Sequence, residues 1–101
     1  LPKKPTLKTA ESVDFNAIKV TWKKVTGIAG YQINISTSKK FNRESSSYTV
    51  NKKSAKTKTI KGLKAKKTYY VRIRTYKNAK INGKTVKVYS KWSATKSIKT
   101  K

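Results

Sequence analysis

The sequence predicts an all-β fold, a seven-stranded Greek-key β-sandwich, and three observations carry that prediction. The first is the run Leu63 to Tyr76, where Tyr69, Val71, Ile73 and Thr75 alternate strictly with Tyr70, Arg72, Arg74 and Tyr76. A repeat of two is a strand with one buried face, and its β-branched and aromatic residues favour the same conformation. The second is Leu63, placed where a preceding strand ends. Tyr69 is then positioned to turn its ring inward and its hydroxyl back onto that corner's backbone, the tyrosine corner of Greek-key sandwiches. The third is that the chain carries no heptads, no internal repeat and no amphipathic helical pattern, so all-β is the coherent reading.

In chain order, Pro5 to Ala10 is expected as the first edge strand, with Leu7 inward; an edge strand tolerates Pro5 because it need not donate every amide. Glu11 to Asn16 reads as a connection. Ala17 to Lys23 places Ile18, Val20 and Trp22 on one face, and Trp22 in phase with two inward aliphatics is the expected floor of the core. Val25 to Gly30 is a turn-rich loop whose glycines, Gly27 and Gly30, allow positive φ. Tyr31, Ile33 and Ile35 then point inward, and Gln32, Asn34 and Ser36 outward. Thr37 to Ser47 is a polar loop with Phe41 as a lid over the sandwich end. Tyr48 to Val50 is a short edge strand, and a further short strand ends at Ile60. Lys77 to Lys84 is expected as a hairpin loop around Asn82-Gly83. Thr85 to Tyr89 and Ser93 to Thr100 form a final strand broken around Ser90 to Trp92, with Trp92 over an open end of the sandwich.

Four segments in this order, Ile18-Lys19-Val20-Thr21-Trp22, Gly30-Tyr31-Gln32-Ile33, Ile60-Lys61-Gly62-Leu63 and Tyr69-Tyr70-Val71-Arg72-Ile73, resemble a fibronectin type III domain, of immunoglobulin-like fold, over nearly the whole chain. Ser38-Lys39-Lys40-Phe41 and Val88-Tyr89-Ser90-Lys91-Trp92-Ser93 are similar to the lysine-rich bacterial surface or secreted branch of that family. One departure is visible. Family members often carry Pro-Gly between the leucine and the tyrosine, where Ala65 and Lys66 stand here.

A chain of 101 residues has room for one such domain. Residues 1–4 read as a stiff, proline-containing linker and residues 5–101 as the domain. The chain begins Leu1-Pro2 and reads as a piece of a longer protein, with no apolar segment long enough to cross a bilayer. Net charge is extreme: 27 Lys and Arg against 3 Asp and Glu give +24. The three acids leave most lysines without a partner, so self-repulsion opposes compaction at low salt. The charge reads either as a polyanion-attracting surface or as a solubility coat arising from lysine bias.

The chemistry available is narrow. Histidine and cysteine are absent and the acids, Glu11, Asp14 and Glu44, are scattered. General acid-base pairs, thiol nucleophiles, zinc sites and clustered calcium ligands all lack their parts, and Gly27 and Gly30 do not form a phosphate-binding motif. The chain is therefore read as no enzyme, with no cofactor and no metal. One constellation remains as a candidate binding face: Tyr70, Arg72, Arg74 and Tyr76 on the outward side of the long strand, joined by Gln32 and Asn34 and by a lysine or Tyr89 from neighbours. Arginine beside aromatic rings binds anionic polymers or sugars through bidentate hydrogen bonds and π-faces. The same pattern also arises from cross-strand packing on a solvated face. The resemblance implies a noncatalytic extracellular module, monomeric in isolation, that spaces or presents neighbouring domains of a bacterial surface or secreted protein. The alternative is a basic module attaching its parent to anionic cell-wall polymers, glycans or nucleic acid, with no specific nucleic-acid sequence expected.

Overall fold

A computed structural model of residues 1–101 shows two antiparallel sheets and no helix. The first sheet contains β1 (Leu7–Asp14), β2 (Ala17–Trp22) and β5 (Thr57–Ile60) in the order β1-β2-β5. The second contains β4 (Ser46–Val50), β3 (Gly30–Ser36), β6 (Thr68–Ile81) and β7 (Lys84–Tyr89) in that spatial order, with β8 (Lys96–Lys99) also paired to β6. The expected sandwich is present. Its strand count is eight because the final strand is interrupted between β7 and β8, both of which lie along β6.

The core is the meeting of the two alternating patterns. Ile18, Val20 and Trp22 from β2, Ile60 from β5, Tyr31, Ile33 and Ile35 from β3, and Tyr69, Val71 and Ile73 from β6 belong to one buried cluster. Trp22 is 1% exposed and its ring lies 5.2 Å from that of Tyr31, tilted by 52°. The tyrosine corner forms: the buried Tyr69 hydroxyl accepts a hydrogen bond from the Lys64 amide at 2.8 Å. In the turn before it, Lys66 takes φ 52°, the left-handed conformation that the family's glycine would adopt without a steric cost.

Three local expectations are corrected. β1 does not stop at Ala10 but runs to Asp14, paired to β2 through two register shifts, so Glu11 to Asp14 are strand and not connection. The segment Lys77 to Ile81 is likewise strand: β6 and β7 form a ribbon closed by the two residues Asn82 and Gly83, at φ 51° and 78°. Charge and polarity hid this extension, because a ribbon projecting from the body has no buried face to impose alternation. Gly27 takes positive φ, but Gly30 does not. Gly30 is needed for space, since a Cβ there would lie 2.3 Å from the Val50 carbonyl oxygen and 2.8 Å from the Tyr76 ring.

The body is elongated, 46 × 25 × 21 Å. Pro2 and Pro5 are buried, and the Thr75 hydroxyl donates to the Lys3 carbonyl at 2.7 Å, so residues 2 to 5 lie against the body beside β6.

Candidate functional site

The outward face of β6 is set by register. Arg72 stands opposite Asn34 and Arg74 opposite Gln32 on β3. Each arginine uses its Nε to bind its cross-strand amide: Arg72 to Asn34 Oδ1 at 3.1 Å and Arg74 to Gln32 Oε1 at 2.7 Å. Asn34 is itself buried, and its Nδ2 donates to Ser45 Oγ and to the Ser46 carbonyl. Each guanidinium is thereby tethered to the neighbouring strand at its Nε.

Three aromatic rings fill the spaces around them. The guanidinium carbon of Arg72 lies 4.0 Å from the ring centre of Phe41 and 4.2 Å from that of Trp92. Arg74 lies 4.3 Å from Trp92 and 3.7 Å from Tyr89. The order along the face is therefore Phe41, Arg72, Trp92, Arg74, Tyr89, an alternating ladder of cations and π-faces. Each such contact contributes about 0.5–1 kcal/mol at exposed sites and more when desolvated. Burial lowers the pKa of both guanidiniums from the ordinary arginine value; the adjacent Arg74 charge lowers Arg72 further, whereas Tyr89 opposes the shift at Arg74.

The interrupted edge of the sheet delivers Trp92. Ser90 and Ser93 each exchange a pair of hydrogen bonds with β6 across the gap between β7 and β8. The Ser90 amide donates to the Thr75 carbonyl at 3.0 Å and Ser90 Oγ accepts from the Thr75 amide at 2.9 Å. The Ser93 amide donates to the Ile73 carbonyl at 2.8 Å and Ser93 Oγ accepts from the Ile73 amide at 3.1 Å. Serine hydroxyls thus replace the missing strand carbonyls. Three residues of the edge span two of β6, and the extra residue carries Trp92 onto the outer face.

Of the six residues expected on this face, Arg72, Arg74, Gln32 and Asn34 come together as two adjacent hydrogen-bonded pairs. Tyr70 lies on the same face, half-buried beside Ser36 and Ser97, outside the ladder. Tyr76 is 3% exposed and lies over Gly30, with its hydroxyl bonded to Asn51 Oδ1 and its ring 6.2 Å from Tyr89 in an edge-on contact. Ser36, expected to point outward, is fully buried, with its hydroxyl donating to the Arg43 carbonyl. Phe41 and Trp92 are corrected in place: neither caps an end of the sandwich, and both lie on the outer sheet face against arginines. Their partners are distant in sequence, so no local pattern reveals them. Ser90 and Ser93 were also missed; the signal available was two serines bracketing a tryptophan at a strand interruption.

Elsewhere the surface carries one ion pair, Lys64 with Glu44 at 2.5 Å. The lysine bond lowers the Glu44 pKa, and Glu44 in turn raises that of Lys64. No helix is long and apolar enough to cross a membrane.

Comparison with known proteins agrees with the fold. Among solved structures, the chain is similar to the FN1–FN3 domains of chicken CNTN1, with a TM-score of 0.77 at 20% identity over 99% of this chain and 31% of that one. It thus spans about a third of that three-domain segment. It is similar to the FN5 domain of Drosophila Lar, with a TM-score of 0.70 at 24% identity over 99% of this chain and 97% of that one. The same holds for the fn3 domain of human contactin 1, with a TM-score of 0.76 at 16% identity over 96% and 76% of the two chains. No curated protein sequence matches the chain. The family model described as Fibronectin type III domain matches residues 3–91, and the chain belongs to that family.

Proposed function

We propose that this chain is a noncatalytic fibronectin type III module that spaces or presents neighbouring domains within a larger bacterial surface or secreted protein. The observation that supports it is the arginine-aromatic ladder. The side chains best suited to grip a ligand on the sheet face have their guanidinium carbons over the rings of Phe41, Trp92 and Tyr89 and their Nε atoms on Asn34 and Gln32. Their π-faces are thereby used within the domain. The placement of the chain ends also suits a spacer. Leu1 and Pro2 lie beside Lys77, Asn78 and Val88, whereas Lys101 bonds to Ser12 and Lys66 at the other end. About ten residues of β6 separate the two places, roughly 30 Å at strand spacing, so neighbours on either side would attach at opposite poles. The cysteine-free, lysine-rich composition fits an extracellular setting.

A glycan and polyanion array read at low and high salt tests this reading. Binding through spread charge fades steeply with salt. A ligand retained at high salt and lost on Arg72→Lys would show instead that the sheet face is a dedicated binding site.

A further inference from the structure

Five of the domain's lysines line two neighbouring cavities at one end of the sandwich. Beyond the end of β2, a cleft of about 180 Å³ is lined by Lys3, Lys4, Thr6, Lys23, Lys24 and Thr26 around the single apolar residue Val25. A second cavity of about 190 Å³ shares Lys24, Val25 and Thr26 with it and adds Gly27, Lys53 and Ser54. The two adjoin at these shared residues, and together this groove carries five lysines and three hydroxyls.

Its walls are fixed from beneath. Tyr31 is fully buried, and its hydroxyl accepts from the Val25 amide at 2.9 Å and donates to the Lys53 carbonyl at 3.1 Å. One core side chain therefore sets the spacing between the two loops that carry Lys24 and Lys53. The Lys23 amide donates to the Thr6 carbonyl at 3.0 Å, which fixes the wall carrying Lys3 and Lys4. The backbone is preorganised while the lysine tips remain exposed.

No acid neutralises this pole. Asp14 stands opposite Ala17 at the far end of β2, Glu11 opposite Lys19, and Glu44 is paired with Lys64 beside the tyrosine corner. Lysines concentrated in a concave surface without opposing charge focus the field on that groove.

We infer that this groove binds a linear polymer of tetrahedral oxyanions, phosphate or sulfate, that carries no bases. Lysine ammoniums act as point charges toward such groups, and hydroxyls between them supply further donors. Two cavities side by side on shared residues suit a repeating anion. The groove has no aromatic residue in its lining, so it lacks the stacking platforms on which single-stranded nucleic acid depends. This site is separate from the sheet face, and the spacer reading stands or falls independently of it.

The test compares Lys23→Ser/Lys24→Ser with Lys96→Ser/Lys99→Ser, which removes the same charge from exposed positions on β8. Titrations at several salt concentrations use inorganic polyphosphate, a sulfated dextran and single-stranded DNA of matched charge. The groove variant should bind polyphosphate or sulfated dextran about tenfold more weakly than the β8 variant, and its salt slope should fall by roughly 0.7–0.9 per lost contact. The probe bound more tightly by the wild type identifies the oxyanion. Unchanged circular dichroism establishes that both variants are folded. Equal losses for the two variants overturn the inference, as does DNA bound as tightly as the base-free polymers with the same loss.

Discussion

Trp92 lies between two positive charges, its ring centre 4.2 Å from the guanidinium carbon of Arg72 and 4.3 Å from that of Arg74. Both cations are held against the ring by hydrogen bonds from β3 and by the serine-paired edge that carries the tryptophan. Trp92→Ala should therefore lower stability by about 2–3 kcal/mol, from two cation-π contacts and the lost ring area. Denaturant titration followed by circular dichroism measures it. A loss under about 0.5 kcal/mol, the range of ordinary surface substitutions, would mean that the ladder contributes little to stability.

The tyrosine corner gives a paired prediction. Tyr69→Phe leaves the Lys64 amide without its acceptor and should cost about 1–2 kcal/mol. Tyr70→Phe should change stability by less than about 0.5 kcal/mol, because its hydroxyl has no partner within the domain. Thermal melts of the two variants decide the matter, and greater sensitivity at Tyr70 would contradict the corner.

Lys66→Gly should raise stability. A left-handed backbone costs an L-residue about 1–2 kcal/mol, while glycine adds about 0.4–1 kcal/mol of unfolded-state entropy. The net expectation is a gain of about 0.5–1 kcal/mol by difference, measured as a higher urea midpoint with an unchanged slope. A lower midpoint would show that the Lys66 side chain matters more than its backbone.

Salt and pH act on the same charge imbalance. Melting temperature should rise between low salt and physiological ionic strength, where the screening length falls to about 8 Å. With the Glu44 pKa lowered by Lys64, the folded state binds its proton less tightly than the unfolded chain does. That contribution is complete above the usual carboxylate range and is lost as pH falls through it. With no histidine and three acids, stability should be nearly flat from pH 6 to 8 and decline only in the acid range. A transition near pH 6.5 would contradict this.

What the sequence made legible was whatever one buried face imposes. Tyr69, Val71 and Ile73, and likewise Ile18, Val20 and Trp22, announce their strands because alternation is forced by the core. Lys77 to Ile81 lie in a ribbon that projects from the core, and so carry no such signature. Of the candidate face, the arginines and their amide partners followed from strand phase. Phe41 and Trp92 did not, because each reaches its arginine across a loop or a broken edge. Two serines 17 and 20 residues beyond Ile73 replacing strand carbonyls is a tertiary arrangement with no periodic trace.

The two sheet-face arginines serve the fold through guanidiniums packed among Phe41, Trp92 and Tyr89. Arg72→Lys/Arg74→Lys keeps the net charge of +24 but removes the planar stack and the Nε bonds, so it separates shape from charge. One thermal melt, with a polyphosphate titration on the same sample, tests it most directly. The expected result is a loss of about 2 kcal/mol, four weakened ladder contacts at roughly 0.5 kcal/mol each, with polyphosphate affinity unchanged. An unaltered melting temperature accompanied by a fall in affinity would contradict it.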